Sequence, residues 1–216
     1  MTTRIDTDAD IATGLAHLTA VCPTMRAIAA ETGPPPLRRW EGGFPGLVRI
    51  VVAQQLSVAS AAAIQKKVEV AIPRLDPRRF AKADDATLRG AGLSAPKIRT
   101  LRAAAEAAVA KRIDFDHLAD APIDIVHERL TALPGIGPWT ADIYALFCLG
   151  HGDAFAPGDL ALQEAARIAF SLKARPKDDV FVALSRHWSP WRGVAARLLW
   201  TYYRVAKSRE GVTEGA

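Results

Sequence analysis

Apolar positions along this chain recur at helical rather than strand spacing almost throughout. Ile11, Leu15, Leu18, Val21, Met25 and Ile28 fall on one helical stripe and predict a helix over 11–29. Gly33 followed by Pro34-Pro35-Pro36 ends it. A loop carrying Trp40 and Phe44 leads to a second predicted helix, 46–70, which opens apolar at Leu47 and turns basic at Lys66-Lys67. Pro73 and Pro77 break the chain again. Shorter helices are predicted over 83–90 and 96–111, with a turn near 115–119. The next helix starts at Asp120-Ala121-Pro122, with proline near its first position. A glycine-rich turn then leads to predicted helices over 138–149, 159–170, 178–188 and 192–205, and residues 208–216 are expected to fray. Strand alternation is weak, since 69–72 and 179–182 sit inside better helical periods. The pattern predicts an all-α fold. The proline joint at Pro34–Pro36 and the bend over Gly152–Gly158 are the best internal borders. They predict two helical lobes, 1–45 with 153–216 and 46–152, the second ending in a helix–turn–helix over about 122–149.

Composition narrows the function classes. Half of the 216 residues are apolar, enough for a substantial core. No run approaches the roughly 18 apolar residues of a membrane span. The polar, acidic start, Met1 to Ile11, lacks the pattern of a signal peptide, so a cytoplasmic place (bacterial cytoplasm or nucleoid) is expected. Cys22 and Cys148 are the only cysteines, too few for a four-cysteine zinc or iron–sulfur site, and buried thiols are expected. His117, His127, His151 and His187 are scattered and form no metal constellation. A net charge of +5 favours a polyanionic partner, and the dispersed basic residues point to a folded binding surface rather than a tail.

The most specific string is Leu133-Pro134-Gly135-Ile136-Gly137-Pro138-Trp139-Thr140-Ala141-Asp142. Its glycines permit positive φ and close backbone approach, and Pro138 opens a helix whose first amides lack partners. Such amides can hold a phosphate without any side chain, a contact indifferent to sequence. The string lacks the Gly-Lys-Ser/Thr of a P-loop, and no strand precedes it as a dinucleotide fingerprint requires. Downstream, Asp159 follows Pro157-Gly158 at a helix start. It reads as an N-cap and equally as a fixed carboxylate beside a reacting sugar; the two roles are compatible, since negative charge is favoured at a helix N-terminus. Asp153 is a weaker candidate, and Asp142 reads as structural.

The segment from Leu133 to Asp159 resembles the helix-hairpin-helix (HhH-GPD) DNA glycosylase superfamily, and within it the DNA-3-methyladenine glycosylase II family. Val51-Val52-Ala53-Gln54-Gln55-Leu56-Ser57, Gly92-Leu93-Ser94 with Lys97, and Pro190-Trp191-Arg192 extend the resemblance over roughly 37–205. It implies two helical lobes with the active cleft between them. The stretch before Leu37 is too short for the extra N-terminal mixed-sheet domain of larger members, so the compact form is implied. The resemblance assigns to Asp159 the stabilisation of positive charge on the deoxyribose and the orientation of water. Bifunctional relatives keep a lysine where this chain has Trp139. A monofunctional enzyme without lyase activity, removing alkylated bases such as 3-methyladenine from double-stranded DNA, is therefore implied. Uracil or deaminated bases as substrates, or a non-enzymatic DNA-binding module, are the alternatives.

Removal of a base requires flipping it into a pocket. Trp139, Tyr144, Trp188, Trp191, Trp40 and Phe44 are candidates to stack on an electron-poor alkylated base, or else to fill the core. Gln54 and Gln55 occupy the family's wedge segment, with Gln55 at the position of a leucine wedge. Gly135, Gly137, Thr140, Lys97 and Arg192 are candidates for the DNA backbone. Lys97 also reads as a solvated lysine, and Arg192 as a partner of Asp159 or of a surface acid. The family's monovalent cation, Na+ or K+, would be held by the carbonyls of Thr131, Leu133 and Ile136. No cofactor is required for the chemistry, no iron–sulfur cluster is implied, and a monomer without membrane partners is expected.

Overall fold

The computed structural model describes residues 3–213, with side chains through Ser208. Among them the regular structure is helical, apart from one antiparallel bridge between Arg4 and His151. The helices are α1 (Asp8–Val21), α2 (Pro23–Thr32), α3 (Gly43–Ala53), α4 (Val58–Ala71), α5 (Pro77–Lys82), α6 (Asp85–Gly90), α7 (Ala95–Val109), α8 (Phe115–Asp120), α9 (Ile123–Thr131), α10 (Pro138–Tyr144), α11 (Leu160–Ala169), α12 (Asp178–Ser185) and α13 (Arg192–Thr213). No described helix is long and apolar enough to cross a membrane. Cys22 and Cys148 are free, buried thiols.

Two predicted helices are each split. The stripe over 11–29 belongs to α1 and α2, because Pro23 offers no amide to continue α1 and instead opens α2. Thr7 and Asp10 form a capping box, so α1 starts earlier than its apolar stripe suggests. The predicted helix over 46–70 breaks at Gln54–Ser57: Gln55 takes a left-handed φ of 57°, and Ser57 caps α4 by accepting the Ser60 amide at 3.1 Å. Helix α5, capped by Asp76 and opened by Pro77, is an element the periodicity did not single out. Helix α13 continues to Thr213 through part of the segment expected to fray, and 214–216 lie outside the described residues.

The chain divides into two compact units, one comprising the residues through Arg39 with those from Gly150 onward, the other Trp40–Leu149. Trp40 and Phe44, placed in the first lobe from sequence, belong to the second unit. Trp40 stacks on Phe147 at 4.5 Å, and Phe44 meets Phe80 edge-on at 5.4 Å. In the first unit α13 packs against α1, α2 and α11, burying Val194, Leu198 and Leu199. Residues 3–5 run beside 150–152, with Ile5 N–H donating to Gly150 O and Gly152 N–H to Thr3 O, each at 2.8 Å. In the second unit α3 is nearly apolar all round, burying Leu47, Val48, Ile50, Val51 and Val52 among α4, α7 and α10.

Candidate active site

Asp159 is the N-cap of α11. Its amide closes a turn onto Ala156 O at 3.1 Å. Its Oδ1 accepts the amides of Ala161 and Leu162, each at 3.0 Å, and the indole Nε1–H of Trp200 at 3.1 Å. Three donors on one oxygen fix the plane of a half-buried carboxylate. Trp200 was not foreseen: it lies in α13, where periodicity reads any indole as packing. The preceding loop is tethered as well. Gln163, only 8% exposed, donates Nε2–H to Pro157 O at 2.8 Å and to Asp178 Oδ1 at 3.0 Å.

Arg192 neither orients Asp159 nor offers a free fork to DNA. Its guanidinium makes a two-pronged bond to Asp153, Nε to Oδ1 and Nη2 to Oδ2, both at 2.8 Å, and Ser189 Oγ–H adds a third bond at 2.9 Å. This cluster binds the 153 loop to the start of α13, which answers the weaker candidacy of Asp153 too.

In the other unit, Leu133-Pro134-Gly135-Ile136 forms the turn of the hairpin, with Ile136 N–H donating to Leu133 O at 3.1 Å. Pro134 precedes Gly135 at φ 81°, as a type II turn requires. A Cβ on Gly135 would collide with Thr100 Oγ1 of α7, whereas one on Gly137, at the N-cap of α10, would meet open space. The amides of both glycines donate to no acceptor among the described residues. His127 Nε2 and Asp142 Oδ1, 2.8 Å apart, join α9 to α10 across the turn, and this bond raises the histidine's pKa. Asp142 is thus structural. The carbonyls of Thr131, Leu133 and Ile136 are neutral oxygens near the turn, a donor set suited to a hard monovalent cation. Leu133 O already accepts one turn amide. Among the described residues no cluster of His, Cys, Asp and Glu could hold a metal.

Two residues assigned to the DNA backbone serve instead as internal struts. Lys97 donates its ammonium to Val52 O and Gln54 O, each at 2.9 Å. These are orphan carbonyls at the C-terminal end of α3, where a cation complements the helix dipole. Burial pushes the Lys97 pKa down. Thr140 is 2% exposed, and its hydroxyl accepts the Gln54 Nε2–H at 2.9 Å. Gln54, half of the wedge pair, is thereby tied to the hairpin helix. Gln55 stays at the tip of the turn beside Leu56, which is 39% exposed.

The aromatic candidates separate by burial. Trp188 is fully buried among Phe155, Phe170 and Phe181 and has no face for a base. Tyr144 is also fully buried; its hydroxyl accepts the Gly43 amide at 2.8 Å, and burial raises its pKa. Phe44 is core against Phe80. These three are corrections to the expected pocket. Trp40 is half-buried, engaged by Phe147 and by the Arg49 guanidinium 4.8 Å from the ring centre. Trp191 is half-buried over Gly14, where a Cβ would lie 2.8 Å from its ring. Trp139 is half-buried on the first turn of α10.

A glycine hairpin with unpartnered amides and a capped, clamped aspartate define a base-excision protein of the helix-hairpin-helix class. The chain belongs to the HhH-GPD superfamily of base excision DNA repair proteins, whose profile matches residues 48–190. It is a DNA glycosylase of the DNA-3-methyladenine glycosylase II-like family, in the compact all-helical form. The probable bifunctional transcriptional activator/DNA repair enzyme AlkA of Mycobacterium tuberculosis is 31% identical over 207 residues, 91% of this chain and 40% of that protein. The Schizosaccharomyces pombe 3-methyladenine DNA glycosylase Mag1, solved with abasic DNA, is 26% identical and superposes with a TM-score of 0.81 over 87% of this chain and 95% of its own. A DNA-3-methyladenine glycosidase of Bacillus halodurans is 28% identical, with a TM-score of 0.80 over 96% and 94%.

Proposed function

We propose that this protein is a monofunctional glycosylase that hydrolyses the N-glycosidic bond of alkylated bases, 3-methyladenine and related purines, in double-stranded DNA. The observation that carries the reading is Asp159, whose Oδ1 is held by Ala161, Leu162 and Trp200. As the C1′–N bond breaks, the base leaves with the bonding electrons and positive charge grows on the sugar. A carboxylate fixed in advance stabilises that charge without reorganising, directs a water whose oxygen forms the new bond to C1′, and takes up the proton that this water loses. A cationic alkylated base is already a good leaving group, so little protonation of the base is needed. Trp139, where a lyase would carry its lysine, offers an indole face to an electron-poor base and no amine to attack the sugar. Gln55 with Leu56 fills the gap left by the flipped nucleotide, and the hairpin amides hold a phosphate.

Asp159→Asn is expected to abolish base release from a methylated duplex while binding to abasic DNA is retained. Borohydride added during turnover is expected to trap no covalent complex. A trapped complex would overturn the monofunctional reading, and undiminished release by the variant would overturn the role of Asp159.

A further inference from the structure

The turn between α3 and α4 is held from two sides by residues of its own unit. Lys97, half-buried on the first turn of α7, donates to Val52 O and Gln54 O, each at 2.9 Å. Two carbonyls held by one ammonium fix the direction in which the chain leaves α3. Gln54 in turn donates Nε2–H to Thr140 Oγ1, on the first turn of α10, at 2.9 Å. Thr140 is only 2% exposed, so this bond is shielded from competing water. Three positions after Lys97, on the same face of α7, Thr100 Oγ1 stands against Gly135 of the hairpin. One helix thus backs both the 54–57 turn and the glycine turn, and a side-chain bond joins the two directly.

The segment so braced has no core of its own to order it. Residues 55–60 are exposed throughout, and Leu56 and Val58 present apolar side chains to solvent, Val58 with 89% of its surface open. Gln55 keeps its left-handed φ of 57°, a conformation unfavourable to any residue with a Cβ. Among the described residues Lys97 pairs with no carboxylate, and burial pushes its pKa down. A partly desolvated cation, a shielded amide bond and a strained backbone are more than a surface turn needs to connect two helices. Strain of this kind persists where the surroundings fix one conformation for use.

We infer that Lys97 and the Gln54–Thr140 bond are positioning elements for nucleotide flipping: they hold the 54–57 turn in fixed register with the glycine hairpin, so that a phosphate gripped by the hairpin sets where Gln55 and Leu56 enter the base stack. A turn ordered in advance does not have to be ordered at the moment of insertion, which lowers the cost of that step. This role rests on the proposed action on DNA and on gap filling by Gln55 and Leu56.

The test is stopped-flow fluorescence of 2-aminopurine set beside a tetrahydrofuran abasic analogue in a duplex, a probe of insertion into the stack that needs no base release. The wild type, K97M, K97R, Q54A, T140V and Q54A/T140V are compared. Affinity for an undamaged duplex, measured in parallel, reports the hairpin grip, and thermal unfolding checks that each variant is folded. K97M is expected to slow the fluorescence rise about 10-fold, as for loss of a bond from a charged donor, and K97R to restore most of the rate. Q54A and T140V are each expected to slow it about 3-fold, as for one neutral bond. The double variant is expected to be no slower than either single one, since both changes remove the same bond. Affinity for the undamaged duplex is expected to stay unchanged. Wild-type rates in folded K97M and T140V overturn the positioning role, as do additive losses in the double variant. Equal losses of insertion rate and undamaged-duplex affinity also overturn it, since they mark a general loosening of the unit. So does a wild type that gives no fluorescence rise. A wild type and variants that give the expected rates, with no release of alkylated bases by any of them, refute the proposed function and leave the positioning role standing.

Discussion

Asp159 takes its direction from neighbours that a sequence pattern shows unequally. Its place after Pro157-Gly158 and before an apolar stripe marks a helix cap, and the two amides that bond Oδ1 follow from that. The third donor, Trp200, arrives from α13, and nothing local distinguishes its indole from packing. The same gap explains the misplaced residues. Tyr144 and Trp188 follow motifs in sequence but face inward, and Lys97 finds helix carbonyls rather than phosphate. Burial and long-range partners decide these roles, and neither is visible in spacing. Trp200→Phe keeps an aromatic side chain, a smaller one, and removes the bond to a charged acceptor, worth about 1.5–3 kcal/mol. Base release under single-turnover conditions is expected to slow about 10- to 100-fold, with abasic-DNA affinity little changed. An unaltered rate would show that the indole bond does not position the acid.

At the scale of elements, the hairpin was the most legible part of the chain, because proline and glycine dictate the turn whatever surrounds it. Its support was not legible: Thr100 lies behind Gly135, and Gln54 reaches Thr140 from the turn between α3 and α4. The break in that predicted helix depends on a left-handed Gln55, which no composition rule required. The two glycines are expected to fail differently. Gly135→Ala meets Thr100 and a positive φ that alone costs about 1–2 kcal/mol, so it lowers the melting temperature. Gly137→Ala has room and an ordinary φ of −97°, so it keeps stability and weakens DNA binding by crowding the amides. Equal melting losses in the two variants would contradict this division.

The His127–Asp142 bridge gives the hairpin a pH signature. The folded pKa of His127 is raised, so the stabilisation is full below the ordinary histidine value of about 6.5 and is lost as pH rises through the folded value. Melting temperatures measured upward from about pH 6 are expected to show the wild type losing an advantage over Asp142→Asn. A constant difference across that range would place the bridge outside the stability of the turn.

Across the whole molecule, the all-helical class and a break into two units follow from helical periods interrupted by proline and glycine. The observed borders, after Arg39 and Leu149, are set by stacking of Trp40 on Phe147 and by pairing of 3–5 with 150–152, contacts between segments remote in sequence. The catalytic candidate and the hairpin therefore come from different units of one chain. That arrangement lets binding and chemistry be separated by substitution. The most direct measurement is single-turnover release of 3-methyladenine from a methylated duplex by the wild type and Asp159→Asn, with abasic-DNA binding measured in parallel. Release by the wild type, loss of release in the variant and affinity retained by both are the expected results. Release by the variant at the wild-type rate would contradict the role of Asp159.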